Sequence, residues 1–75
     1  MRDLAKEAHE ACPIWASAWM RPDPSKGDTL QSFQTVAEIS APAMQESGII
    51  FIQEMHRESQ TGNQMVDAIK FMRIR

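Results

Sequence analysis

The sequence predicts a small α+β domain in which one amphipathic helix packs on an antiparallel sheet of two or three strands. Two observations predict it: apolar residues recur every three or four positions near the N-terminus, and two β-prone segments flank a turn near the C-terminus. With 75 residues there is room for a single domain, 1–75. Apolar residues make up 43% and charged residues 24%, which is typical of folded rather than disordered chains.

The first predicted element is an amphipathic helix over residues 3–20. Its apolar face holds Trp15 and Trp19 one turn apart, and charged side chains take the opposite face. Pro13 interrupts the pattern because proline lacks the N–H and clashes with the carbonyl four residues earlier. The helix therefore either kinks at Pro13 or ends just before it and restarts.

A loop and an ambiguous element follow. Residues 21–28 contain two prolines and a glycine, so no regular structure is predicted there. In residues 29–40 apolar and polar residues alternate, which favours a half-buried strand. Leu30, Phe33 and Ala37 would also share one face of a helix. We favour the strand and keep the helix as the alternative.

A C-terminal β-hairpin is the next prediction. Pro42 should end the preceding element, and residues 41–48 should form a connection with at most a short helical turn. A strongly β-prone run begins at 49, turn-forming residues occupy 59–63, and the chain returns as a second strand over 64–75. A helix over that last segment is the alternative, since apolar residues recur there at helical spacing.

Two registers of this hairpin remain open. A turn centred on residues 61 and 62 would set Phe51 opposite Met72, whereas a longer loop would set Phe51 opposite Phe71. A slip of one residue would move the other face of the strand into the core. The pattern of apolar residues alone does not choose between them.

The order of elements also allows a winged-helix-like fold, mostly helical with the hairpin as its wing. The recognition segment would then be 41–47, which contains no lysine or arginine to contact phosphates or bases. Contacts to nucleic acid would fall to Arg57, Lys70, Arg73 and Arg75. In this alternative the chain is a DNA-binding transcriptional regulator.

Charge and cysteine content narrow the function further. The net charge is −2, so the basic surface expected of a nucleic-acid-binding domain is missing. Residues 28–62 are acidic, with five carboxylates against Arg57 alone. The single cysteine, Cys12, excludes an intramolecular disulfide, and neither a leader peptide nor a membrane span is recognisable. We therefore expect a cytoplasmic protein with no contact to membranes.

No group of residues indicates catalysis or cofactor binding. His9 and Cys12 are three residues apart, but two ligands do not make a metal site. On a strand, Glu54, His56 and Glu58 would share one face, where all three would meet water. The isolated glycines form no phosphate-binding loop. We expect neither an enzyme nor a cofactor or metal.

The function that remains is that of a small non-enzymatic binding protein, which covers the basic surface of a larger protein or forms a homodimer. The predicted contact residues are Glu38, Glu46, Glu54, Glu58, Trp15 and Trp19. By analogy of size and charge, such chains are common among phage and mobile-element inhibitors of host machinery, including anti-CRISPR proteins, which act in the host cytoplasm. An antitoxin-like or structural subunit is a further alternative.

Overall fold

The computed structural model describes residues 3–60 and 63–75 and confirms the predicted α+β class. A layer of helical segments packs on one face of a three-stranded antiparallel sheet. The elements in chain order are α1 (Leu4–Ala11), β1 (Ser17–Met20), a 3-10 turn (Pro24–Lys26), α2 (Leu30–Thr35), a π-helical segment (Val36–Ser40), α3 (Ala41–Glu46), β2 (Ile50–Gln60) and β3 (Asn63–Arg73). The predicted turn at 61 and 62 lies outside the described residues.

The helix predicted over residues 3–20 is wrong in its second half. Helix α1 ends at Ala11, because Pro13 cannot continue the hydrogen-bonded ladder. A tight turn follows, and β1 lies where a restarted helix was one of the expectations. Trp15 and Trp19 therefore do not share a helical face: Trp15 belongs to the turn and Trp19 to the strand.

The stretch from α2 to α3 is helical without a break, so the favoured strand over 29–40 is wrong and the helical alternative is correct. Phe33, Ala37 and Ala41 are buried at intervals of four, as one helical face requires. Pro42 does not end this element. The backbone widens just before it, and the Ala41 N–H donates to the carbonyl five residues back. This wider turn accommodates a ring that would clash in a regular α-helix.

The winged-helix-like alternative needs two helices joined by a turn, whereas residues 30–46 form one continuous helical stretch. The short helical turn allowed for 41–48 is α3, which is followed by Gly48 at φ 74°. None of the helices in the described parts of the chain has the length and hydrophobicity that crossing a bilayer requires.

The predicted hairpin is present, and β3 is the central strand of a sheet with the order β1-β3-β2. A helix over 64–75 is therefore wrong. Phe51 is paired with Met72, which is the first of the two predicted registers. On its other side, β3 pairs with β1 only over the four positions from Ser17–Met72 to Met20–Ile69.

Two residues have no direct partner in the hairpin, Gln53 on β2 and Asp67 on β3. Each is a β-bulge, and because the bulges lie on opposite strands, the register is shifted between them and restored beyond them. The bulge at Asp67 also changes which side chains point inward. Val66, Ile69 and Phe71 are all buried, although a regular strand would turn Val66 to the face opposite Ile69.

The core lies between the helices and the inner face of the sheet. Its buried members are Leu4, Ala5, Cys12, Met20, Phe33, Ala37, Ala41, Ile50, Val66, Ile69 and Phe71. One helical side chain also completes the sheet. The amide of Gln34 donates to the Val66 carbonyl at 2.7 Å and accepts from the Val66 N–H at 2.9 Å, beyond the end of β1. Gln34 thus takes the place of a strand on this part of the β3 edge.

Candidate binding surface

The sheet has a second, outer face that no element of the described chain covers. Strand alternation, the pairing register and the contact between His56 and Asp67 place these residues on it: Ser17, Trp19, Phe51, Gln53, Glu54, His56, Glu58, Met65, Asp67, Ala68, Lys70 and Met72. The helices cover only the inner face. Antiparallel sheets with one solvent-exposed face usually carry polar residues on that face. Large apolar side chains there are therefore a sign of an interaction site.

The part of the outer face farther from the hairpin turn is aromatic. Phe51 and Met72 are direct cross-strand neighbours, and Trp19 follows two residues after Ser17, the partner of Met72 on β1. Phe51 is 53% exposed and Trp19 is 37% exposed. The guanidinium of Arg21 lies 5.0 Å from the Trp19 ring centroid, a cation–π contact. Three large apolar side chains, Trp19, Phe51 and Met72, therefore lie on the uncovered face; they are called the aromatic group below.

The part nearer the hairpin turn is acidic. Glu54, His56 and Glu58 alternate along β2 and share the outer face, as the sequence predicts for a strand. The His56 ring is hydrogen-bonded to the carboxylate of the bulged Asp67. This hydrogen bond and the negative charge of Asp67 raise the pKa of His56 above its ordinary value, and the charges of Glu58 and Glu54 act in the same direction. The three carboxylates outnumber Lys70, the cross-strand partner of Glu54 on the same face, so this part of the face is called the acidic strip below.

The predicted acidic residues lie on both layers of the molecule. Glu54 and Glu58 are exposed on the outer face of the sheet. Glu38 is exposed in the π-helical segment and Glu46 at the end of α3, both within the layer that covers the inner face. The structure brings the first pair together with Asp67 and separates them from the second pair.

The other two predicted contact residues lie close along the chain at the β1 side. Trp19 is part of the aromatic group, and Trp15 precedes β1 in the turn formed by residues 13–16. Trp15 is 67% exposed and has a positive φ of 67°, and it is the non-glycine residue with positive φ in the described backbone. This position is thus exposed and conformationally unusual.

The basic residues named for the DNA-binding alternative are dispersed. Lys70 is half-buried on the outer face, whereas Arg57 points from the opposite face of the hairpin. The Arg73 guanidinium donates to the carbonyls of Cys12 and Arg75, both at 2.8 Å. Arg73 is therefore engaged within the fold. DNA binding stays a prediction, which a gel shift at low salt checks.

The other candidates for chemistry are engaged in local contacts. The His9 ring hydrogen-bonds the Arg75 carbonyl at 2.6 Å, which joins α1 to the C-terminus. Cys12 is buried, and its thiol contacts the Ala16 carbonyl at 3.3 Å. Within residues 3–60 and 63–75, no three His, Cys, Asp or Glu side chains are grouped closely enough to hold a metal ion.

Three members of this surface were missed by the sequence-based selection of contact residues. Phe51 and Met72 could have been found, because the register that pairs them was one of the two predicted. Asp67 could have been found in the same way, because that register, continued along a regular hairpin, also sets Asp67 opposite His56. In the structure the bulges place Ala68 opposite His56, and the Asp67 carboxylate still contacts the ring. In comparisons with known proteins, no family model, no curated protein and no solved structure matches the chain. Its function must therefore be inferred from its own residues.

Proposed function

We propose that this chain is a small non-enzymatic binding protein that docks the outer face of its sheet on a larger protein. The observation that carries the proposal is the uncovered face itself, on which Trp19, Phe51 and Met72 lie next to an acidic strip. In a chain of 75 residues, every large apolar side chain left in water is one not used in the core. A partner that covers these three side chains gives them the burial that the fold does not.

The charge on this face defines the chemistry of the partner. Glu54, Glu58 and Asp67 outnumber Lys70 on this face and would complement a basic patch, and the aromatic group would complement an adjacent apolar patch. Opposite charge also speeds encounter, and this acceleration falls as salt screens the attraction. The partner is therefore expected to present lysine or arginine side chains beside an apolar depression.

A capture experiment with matched variants tests the proposal. The tagged chain is incubated with a lysate of the cells that express it, and the retained proteins are quantified by mass spectrometry. The variant Glu54→Gln/Glu58→Gln should retain several-fold less of the specifically bound protein, whereas Glu38→Gln/Glu46→Gln should retain an unchanged amount. Both variants lose the same charge, so the comparison isolates position from net charge.

Salt provides the second arm of the test. Capture by the unmodified chain should fall between about 0.05 and 0.5 M salt, because the Debye length shortens from more than 10 Å to a few ångströms. Capture that is independent of salt and equal for both double variants would overturn the electrostatic part. Equal retention by the unmodified chain and by a Phe51→Asp variant would overturn docking through this face.

The biological setting follows as part of the same proposal. A compact acidic binding protein in the cytoplasm suits an inhibitor that occupies a basic groove of host machinery, including a groove that receives nucleic acid, as an anti-CRISPR-like phage protein would. A homodimer formed through the outer face is the competing occupant, and light scattering distinguishes it by a doubled mass. An antitoxin-like or structural subunit would instead require a specific co-expressed protein.

A further inference from the structure

A histidine lies at the centre of the acidic strip. His56 is between Glu54 and Glu58 on β2, and strand alternation places all three on the outer face. On the neighbouring strand, the carboxylate of Asp67 is hydrogen-bonded to Nδ1 of the His56 ring. Carboxylates therefore flank the ring on both strands of the hairpin. Histidine is the side chain that ordinarily changes its charge near neutral pH, so the charge of this strip is not fixed.

The other charges around the ring come from few positions. Lys70 is the cation on this face of β3, and it is the cross-strand partner of Glu54. Arg57 is next to His56 in the chain but points from the opposite face. Strand β1 pairs with β3 only over positions 69–72, and its outer side chains are uncharged. Among the described residues, three carboxylates and one lysine thus set the field at the ring.

The protonation of His56 changes the charge of the strip by a large fraction. With a neutral ring, Lys70 alone offsets one of the three carboxylates. With a protonated ring, two of the three are offset, so the net negative charge of the strip is halved. The hydrogen bond to Asp67 and its negative charge raise the pKa of His56 above 6.5, and Glu58 and Glu54 act in the same direction. The change in charge therefore moves toward neutral pH.

Resting on the proposed function, we infer that His56 makes docking on a basic partner depend on pH: a protonated ring weakens docking and a neutral ring strengthens it. The proton on the ring and a lysine or arginine of the partner would compete for the same carboxylates. Linkage is reciprocal, so binding of the partner must also lower the pKa of His56. The side chain is 53% exposed, and the free protein therefore exchanges this proton with water without opening the fold.

A short cationic peptide tests the strip directly. The probe is tetralysine with an acetylated N-terminus and an amidated C-terminus, which keeps a constant charge between about pH 5.5 and 8.5. At low salt, the peptide should shift the NMR signals of Glu54, His56 and Glu58. Its affinity should be several-fold higher at the upper end of this pH range than at the lower end. Saturation with the peptide should also lower the titration midpoint of the His56 ring.

Two histidine variants separate the ring from the rest of the chain. His56→Gln removes the titrating group, so its affinity for the peptide should be the same across the range and close to that of the unmodified chain at the upper end. His9→Gln is the matched control, because His9 lies on α1 and is hydrogen-bonded to the Arg75 carbonyl. This control should keep the pH dependence of the unmodified chain. Circular dichroism shows whether both variants are folded.

The outcomes distinguish this inference from the proposed function. If the peptide shifts the signals of the strip but binds equally well at both ends of the range, the role of His56 is overturned and docking through the strip stands. A pH dependence that survives in His56→Gln, or is lost in His9→Gln, would overturn that role as well. If the peptide leaves the signals of the strip unchanged, the electrostatic part of the proposed function falls together with the role of His56.

Discussion

Both faces of the sheet carry large apolar side chains, but these are buried on the inner face and exposed on the outer face. Phe71 on the inner face is 0% exposed and belongs to the core. Phe51 precedes Ile52, the cross-strand partner of Phe71, and it is 53% exposed on the outer face. The helical layer accounts for the difference because it covers one face only. Hydrophobicity alone therefore does not tell which residues hold this fold together and which are available to a partner.

The comparison indicates that the inner face of the sheet stabilises the fold and that the outer face is available for binding. On the inner face, the bulge at Asp67 lets Val66 join Ile69 and Phe71 in the core, and the Gln34 amide pairs with the backbone of Val66. The outer face contributes little burial and keeps its aromatic and acidic side chains in contact with water. Substitutions on the inner face should therefore change stability, and substitutions on the outer face should change binding.

The largest expected effect is that of Phe71→Ala. Removing a fully buried phenylalanine costs about 3–5 kcal/mol of unfolding free energy, which approaches the total stability expected of a chain this short. Phe51→Ala should cost clearly less than Phe71→Ala, because Phe51 is 53% exposed in the folded chain. Urea unfolding followed by circular dichroism measures both. Equal losses for the two variants would contradict the difference between the faces.

An intermediate effect is expected for Gln34→Ala. The variant leaves the N–H and the carbonyl of Val66 without their side-chain partner, which costs about 1–3 kcal/mol. The Val66 amide should also exchange with deuterium faster than in the unmodified chain. Gln31→Ala is the control, because Gln31 is exposed on the same helix and should change stability by less than about 0.5 kcal/mol. A loss confined to the control would contradict the role of Gln34.

The smallest effect concerns pH and the outer face. The raised pKa of His56 means that its pair with Asp67 stabilises the folded chain fully below the ordinary histidine pKa of 6.5, and that this stabilisation is lost as the pH rises through the higher folded-state value. In an NMR titration, Asp67→Asn should lower the pKa of His56 relative to the unmodified chain. An unchanged titration midpoint would contradict the pairing.

The sequence was sufficient for the class and for the hairpin, because the β-prone run from Ile50 and its return over β3 are long enough for their pattern to be specific. It was insufficient for β1. Ala18 and Trp19 continue the helical spacing of α1 by coincidence, and only the exposed edge of β3 makes a strand of four residues favourable there. Pro13 was correctly identified as an interruption, but local rules did not predict the turn that follows it.

The error over 29–40 has a different cause. Phe33, Ala37 and Ala41 are four residues apart, so they fit both an alternating and a helical pattern. A strand would also bury Thr35 and Ile39, which are exposed in the structure. For the candidate surface, the common face of Glu54 and Glu58 could be deduced from strand alternation. The separation of Glu38 and Glu46 from them could not, because it depends on how the helices pack on the sheet.

The paired bulges carry a consequence for how this hairpin can change in evolution. Gln53 and Asp67 each lie outside the ladder of cross-strand pairs. Deleting Gln53 would leave Ile52 opposite Phe71 and Glu54 opposite Lys70, so every pair up to the turn would keep its partner. Deleting Asp67 would also keep the pairs, but it would remove the carboxylate that contacts His56. We therefore expect the hairpin to tolerate a deletion at either position, and we expect only the deletion of Asp67 to reduce the charge of the acidic strip.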